Sequence, residues 1–78
     1  MEYLALFYTT FGSIKFKKKL IKMDMEVEVL PVPRTLSSGC GVAVKFSSDG
    51  DISPLLDDSV EKLYSKTQDE YLLIFESK

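Results

Sequence analysis

The chain has 78 residues, with 10 Lys and Arg against 12 Asp and Glu, a net charge of -2 and 45% hydrophobic residues. That length predicts one domain with a small core, and the composition is that of a globular chain and not a disordered one. The net charge of -2 gives no electrostatic basis for nucleic acid or a membrane as partner, and no apolar run approaches the ~20 residues of a membrane span.

The start, Met1-Glu2-Tyr3-Leu4, lacks the positive charge of a signal peptide and leads directly into an apolar, aromatic run from Tyr3 to Tyr8. That run predicts a strand buried on both faces. Thr9 to Ser13 carry turn and capping residues, with Thr10 or Ser13 as the expected helix cap. From Ser13 to Met23 the spacing is helical. Phe16, Leu20 and Met23 share one face, Ile14 and Ile21 lie at its margin, and Lys15, Lys18, Lys19 and Lys22 fill the opposite arc. Lys17 falls on the apolar side and is expected to snorkel to water.

Met25, Val27 and Val29 alternate with Glu26 and Glu28, the pattern of a half-exposed edge strand that Pro31 and Pro33 terminate. Gly41 to Phe46 predicts a third strand, with Val42, Val44 and Phe46 on one side and Ala43 and Lys45 on the other. After the turn-rich run Ser47 to Asp51, Ser53-Pro54 marks a helix start. Leu55 or Leu56, Val60, Leu63 and Tyr64 then give a helical apolar face to about Lys66, with Asp57-Asp58 as first-turn charge. Tyr71 to Phe75 is a fourth strand.

The order β-α-β-β-α-β predicts an α+β, ferredoxin-like sandwich. Its four-stranded antiparallel sheet has the order 4-1-3-2, with two helices on one face. The other face is expected to leave Tyr3 or Leu4, Leu6, and Tyr71 or Leu72 uncovered, which predicts a homodimer or another partner through that open sheet face.

One cysteine and no histidine exclude an intrachain disulfide and leave no zinc set, so no metal or cofactor is expected and a reducing, cytoplasmic setting fits. The predicted topology brings Cys40, between Gly39 and Gly41, close to Thr9, Thr10 and the amino end of the first helix. A helix amino terminus, with Arg34 in the same loop, favours thiolate over thiol. Ser37, Ser38 and Thr35 add hydroxyl donors, and Gly39 and Gly41 leave the sulfur open to approach. Beside this reactive reading stands a structural one, in which a lone strand-start cysteine is a small buried apolar residue with no histidine to activate it. The lysine stripe is a solvated helix face first and an acidic-partner surface second. No phosphate-binding glycine loop is present, and strand aromatics for RNA are sparse.

The run from Pro31-Val32-Pro33-Arg34 through Ser37-Ser38 to Gly39-Cys40-Gly41 resembles the signature of the selenium/sulfur carrier (Se/S carrier protein-like) family of very small bacterial proteins. The opening strand, the helix leading to a short acidic strand and the total length also fit, whereas residues 51–68 carry no matching motif. The resemblance implies that Cys40 holds sulfur or selenium as a persulfide or selenosulfide, flanked by Arg34, Ser37 and Ser38. It implies a carrier and not a turnover enzyme, working with a cysteine desulfurase or another carrier protein. The alternatives are a non-catalytic protein-interaction domain with a structural cysteine, and a small-anion or metabolite sensor built on the Arg34-Ser37-Ser38 loop.

Overall fold

The computed structural model describes residues 1–33, 36 and 41–77. Its elements in chain order are β1 (Glu2–Phe7), α1 (Thr10–Lys22), β2 (Val27–Pro31), β3 (Val42–Ser47), a single 3-10 turn (Ser53–Leu55), β4 (Val60–Lys66) and β5 (Tyr71–Glu76). The strands form one five-stranded sheet in the order β2-β3-β1-β4-β5, every neighbouring pair antiparallel. The expected ferredoxin-like sandwich, with four strands in the order 4-1-3-2 and two helices, is overturned. The segment expected to form the second helix is instead one 3-10 turn followed by a strand inserted between β1 and β5.

The cause lies in a β-bulge. Along the β1–β4 ladder Leu6 pairs with Lys62 while Phe7 pairs with Val60, so Glu61 is an extra residue on β4. The bulge keeps both Val60 and Leu63 on the α1 side of the sheet, three positions apart, which is also the spacing of a helix face. Ser53-Pro54 does start a helical turn, but Leu56 is already extended at φ -76°, ψ 135°. From there the chain is captured by the free side of β1. Asp57 consequently turns the chain at Ser59 and does not serve as first-turn helix charge.

β1 is the central strand and is covered on both faces. Tyr3, Ala5 and Phe7 face α1 with Phe16, Leu20, Val44, Phe46, Leu55, Val60 and Leu63. Phe16 is the hub, its ring centroid 5.2 Å from that of Phe7 and 5.6 Å from that of Phe46. Fully burying such a side chain contributes about 1.5–3 kcal/mol. On the opposite face Leu4, Leu6, Ala43 and Tyr64 form a second cluster, against which Leu30, Val32, Leu36 and Tyr71 pack. Leu4 and Leu6 are 0% exposed and Tyr3 only 8%, so the open patch expected on β1 does not exist; of the residues named for it, Leu72 is exposed, at 51%.

The helix begins earlier than its spacing implies. Thr9, not Thr10 or Ser13, is the cap, its Oγ1 accepting from the Gly12 N–H at 3.1 Å, while the Ser13 hydroxyl donates to the Thr10 carbonyl at 2.7 Å. The helix ends in a Schellman turn. Met25 N–H donates to the Leu20 carbonyl and Asp24 N–H to that of Ile21, both at 3.0 Å, with Asp24 in the left-handed region at φ 62°.

The connection between β3 and β4, residues 48–59, crosses β1 on the α1 side, burying Leu55 in the same core. It is tied to the helix at two places. Lys19 Nζ donates to Asp57 Oδ2 at 3.0 Å, and Gly12 packs so closely on Ser59 that a Cβ at position 12 would lie 2.8 Å from the Ser59 Cβ. The Ser59 hydroxyl and amide both donate to Asp57 Oδ1. Burial pushes the Asp57 carboxyl up, but the Ser59 bonds and the Lys19 ammonium outweigh it and hold the group below its ordinary value.

Candidate functional site

The loop expected to carry the chemistry joins β2 to β3. Its flanks are fixed by the ladder, in which Pro31 pairs with Val42 and the Val32 N–H donates to the Gly41 carbonyl at 3.2 Å. The Leu36 N–H donates to the Pro33 carbonyl at 3.0 Å, and the Leu36 side chain packs on the Leu4, Leu6, Ala43, Tyr64 cluster. Leu36 thus ties the loop to the sheet face opposite α1.

Of the residues singled out for a thiolate-stabilising loop, Gly41 is described, and Arg34, Ser37, Ser38, Gly39 and Cys40 lie outside the described residues, as does Thr35. Gly41 has φ +72°, with open space where a side chain would sit. Only the backbone angle demands glycine here, because an L-residue is strained in the left-handed region.

The β1–β3 register runs from Glu2 opposite Ser47 to Leu6 opposite Ala43. The start of β3 therefore lies at the end of the sheet where β1 passes into α1, and Val42 borders the same depression as Thr10 and Ser13 of the first helical turn. The expectation placed Cys40 close to Thr9, Thr10 and the amino end of the helix; Cys40 lies outside the described residues, and it is Val42, two residues on, that borders this depression. Among the amides of that turn, the Gly12 N–H is already occupied by Thr9.

The depression is an open groove of about 460 Å³ between α1 and β2, lined chiefly by Ile14, Lys17, Lys18, Ile21, Val29 and Val42. Spacing placed Ile14 and Ile21 at the margin of the buried helix face. They are instead 47% and 54% exposed, and Met23, expected on that face, is 53% exposed. The groove was not foreseen from the sequence because it needs two elements, the helix and the strand that follows it. The signal was nonetheless present: Ile14 and Ile21, seven positions apart, stack on one helix face with Lys17 and Lys18 between them.

Among the described residues, no group of three or more His, Cys, Asp or Glu is placed to hold a metal ion, and no helix is long and apolar enough to cross a membrane. No curated protein and no solved structure matches the chain. A protein-family model described as "Putative Se/S carrier protein-like" matches residues 2–56, from the first residue of β1 to just past the 3-10 turn. The match spans more than half of the chain, including β2, β3 and the whole loop between them, so the chain belongs to the Putative Se/S carrier protein-like family.

Proposed function

We propose that this chain is a sulfur or selenium carrier that holds the transferred atom on Cys40. The reading is carried by family membership over residues 2–56, a span that contains the Pro31-to-Gly41 run and the chain's one cysteine. The exposed, left-handed Gly41 supports it, since the residue that follows the sulfur carries no side chain to obstruct approach.

The chemistry is thiol exchange. The Cys40 thiolate attacks the terminal sulfur of a donor persulfide, R–S–S–H. A new S–S bond forms on Cys40, the donor's own S–S bond breaks, and the donor leaves as a thiolate while the proton stays on the transferred sulfur. No net oxidation or reduction accompanies the step, and no general base is required once Cys40 is ionised. Selenium follows the same path through a selenosulfide. The donor is a cysteine desulfurase or a second carrier protein, and the setting is a reducing compartment such as the cytoplasm.

The test is intact-mass measurement after incubation with a cysteine desulfurase and cysteine. A gain of one sulfur atom, reversed by a reductant and missing in Cys40→Ser, is the expected result. No gain, or a gain that survives Cys40→Ser, contradicts it.

A second reading, an interaction domain whose cysteine is structural, draws on the edge strand β5, where Leu72, Leu73 and Ile74 are 51%, 48% and 50% exposed. Three consecutive large apolar residues on a sheet edge favour a homodimer through that strand. Light scattering on the wild type and on Leu72→Lys distinguishes a dimer from a monomer.

A further inference from the structure

We propose that the groove between α1 and β2 is the docking site for an acidic, apolar-bearing segment of the protein that exchanges sulfur with this carrier. The inference rests on the carrier reading and adds to it the place and chemistry of the partner. Two observations point to it, and each comes from residues that the core does not use.

The first is apolar exposure on two elements facing one space. Ile14 and Ile21 of α1 and Val29 of β2 are 47%, 54% and 45% exposed around a volume of about 460 Å³. Isolated exposed apolar side chains are ordinary, but three converging on one concave surface mark a contact site. β2 is also a sheet edge, so the groove opens sideways along a strand that pairs on one side only.

The second is charge. The chain carries net charge -2, yet the two charged side chains lining the groove, Lys17 and Lys18, are both positive. Among the described residues neither is ion-paired, whereas Lys19 on the same helix is held by Asp57. Two free ammonium groups beside an apolar floor complement carboxylates interspersed with apolar side chains. Val42, which borders the groove, is two residues along the chain from Cys40, so a segment seated there lies against the first residue of the strand that follows the sulfur-bearing loop.

The experiment measures the rate at which Cys40 gains sulfur, by intact mass, from two donors. One is a cysteine desulfurase charged with cysteine, and the other is inorganic polysulfide, which needs no docking. Wild type is compared with Lys17→Glu/Lys18→Glu, with Ile21→Asp, and with Lys15→Glu/Lys22→Glu, which makes the same charge change outside the groove. Desulfurase loading should fall about tenfold or more in the two groove variants at low salt and much less in the control, with the charge-reversal defect shrinking as salt rises. Polysulfide should load all four proteins alike.

Equal desulfurase rates for the groove variants and wild type overturn the docking site while leaving the carrier reading intact. Failure of polysulfide to load wild-type Cys40 overturns the carrier reading and the docking site with it. A polysulfide defect as large as the desulfurase defect shows damage to the sulfur site and overturns docking. A dimer in light scattering that the groove substitutions dissociate assigns the groove to a second copy and also overturns it.

Discussion

The sheet has two outer strands, and they present opposite chemistries to a visiting chain. β2 sets Glu28 between Val27 and Val29, ends at Pro31, and lies beside a lysine-lined groove. β5 shows three consecutive exposed apolar residues, Leu72 to Ile74, and Glu76 lies only 4.0 Å from its own neighbour Lys62. Charge and proline protect a sheet edge from permanent pairing, whereas bare apolar surface invites it. The difference teaches that the two edges suit different roles: the docking proposed above calls for a protected edge such as β2, whereas a dimer of the second reading would draw on the bare surface of β5. The family match, which ends at residue 56, includes the first edge and stops short of the second.

The comparison can be broken most severely at the strand that holds β5 in place. Leu63 is fully buried on β4 and pairs with Ala5 and Phe75. Leu63→Ala is expected to cost about 2–5 kcal/mol in denaturant unfolding, from lost burial and the cavity left behind. A cost below about 1 kcal/mol would mean that β4 and β5 are not part of the common core.

Next in size is Gly12→Ala. Helix propensity alone favours alanine by about 1 kcal/mol, but the new Cβ would lie 2.8 Å from Ser59 Cβ, and overpacking costs about 1–3 kcal/mol. The Ser59 contact is backbone-anchored and cannot swing aside as the tip of a flexible chain would. A net loss of stability, seen as a lower Tm, is therefore expected; a gain would show that α1 and the β3–β4 connection pack loosely.

Asp57→Asn tests the same junction by pH. The folded Asp57 carboxyl lies below its ordinary value because the Ser59 hydroxyl and amide and the Lys19 ammonium outweigh burial. Its contribution is fully present above the unfolded carboxylate value of about 4 and is lost as pH falls through the lower folded value. Wild type should lose more stability than Asp57→Asn across that acid window, and identical pH profiles would remove the junction from the account.

The smallest expected effects lie on the edge itself. Leu72→Lys should change unfolding free energy by less than about 0.5 kcal/mol, yet convert any β5-mediated dimer to monomer in light scattering. A dimer unaffected by this substitution would move lasting contact away from β5.

Much of the first half of the chain was legible because its residues repeat with one period at a time. Tyr3 to Phe7 is continuous, Phe16 and Leu20 are one helical turn apart, and Val44 and Phe46 alternate with Ala43 and Lys45 across the sheet. In the second half, periods compete. The Glu61 bulge places Val60 and Leu63 on one face at a helical spacing, and Ser53-Pro54 supplies a genuine start signal for a helix of one turn. Only the unfilled side of β1, which no local pattern reveals, decides for a strand. At the loop, the need for a glycine at position 41 has a local cause, its φ of +72°, whereas the groove was not legible, since it exists only once α1 lies across β2.

A carrier on Cys40 depends on the ionisation and accessibility of one sulfur, and the rate of Cys40 alkylation against pH measures both. A carrier thiol is predicted to react readily in the folded protein, with an apparent pKa below the ~8.5 of a free cysteine. An apparent pKa at or above that value, or alkylation that waits for unfolding, would contradict the account and leave Cys40 as a packing residue.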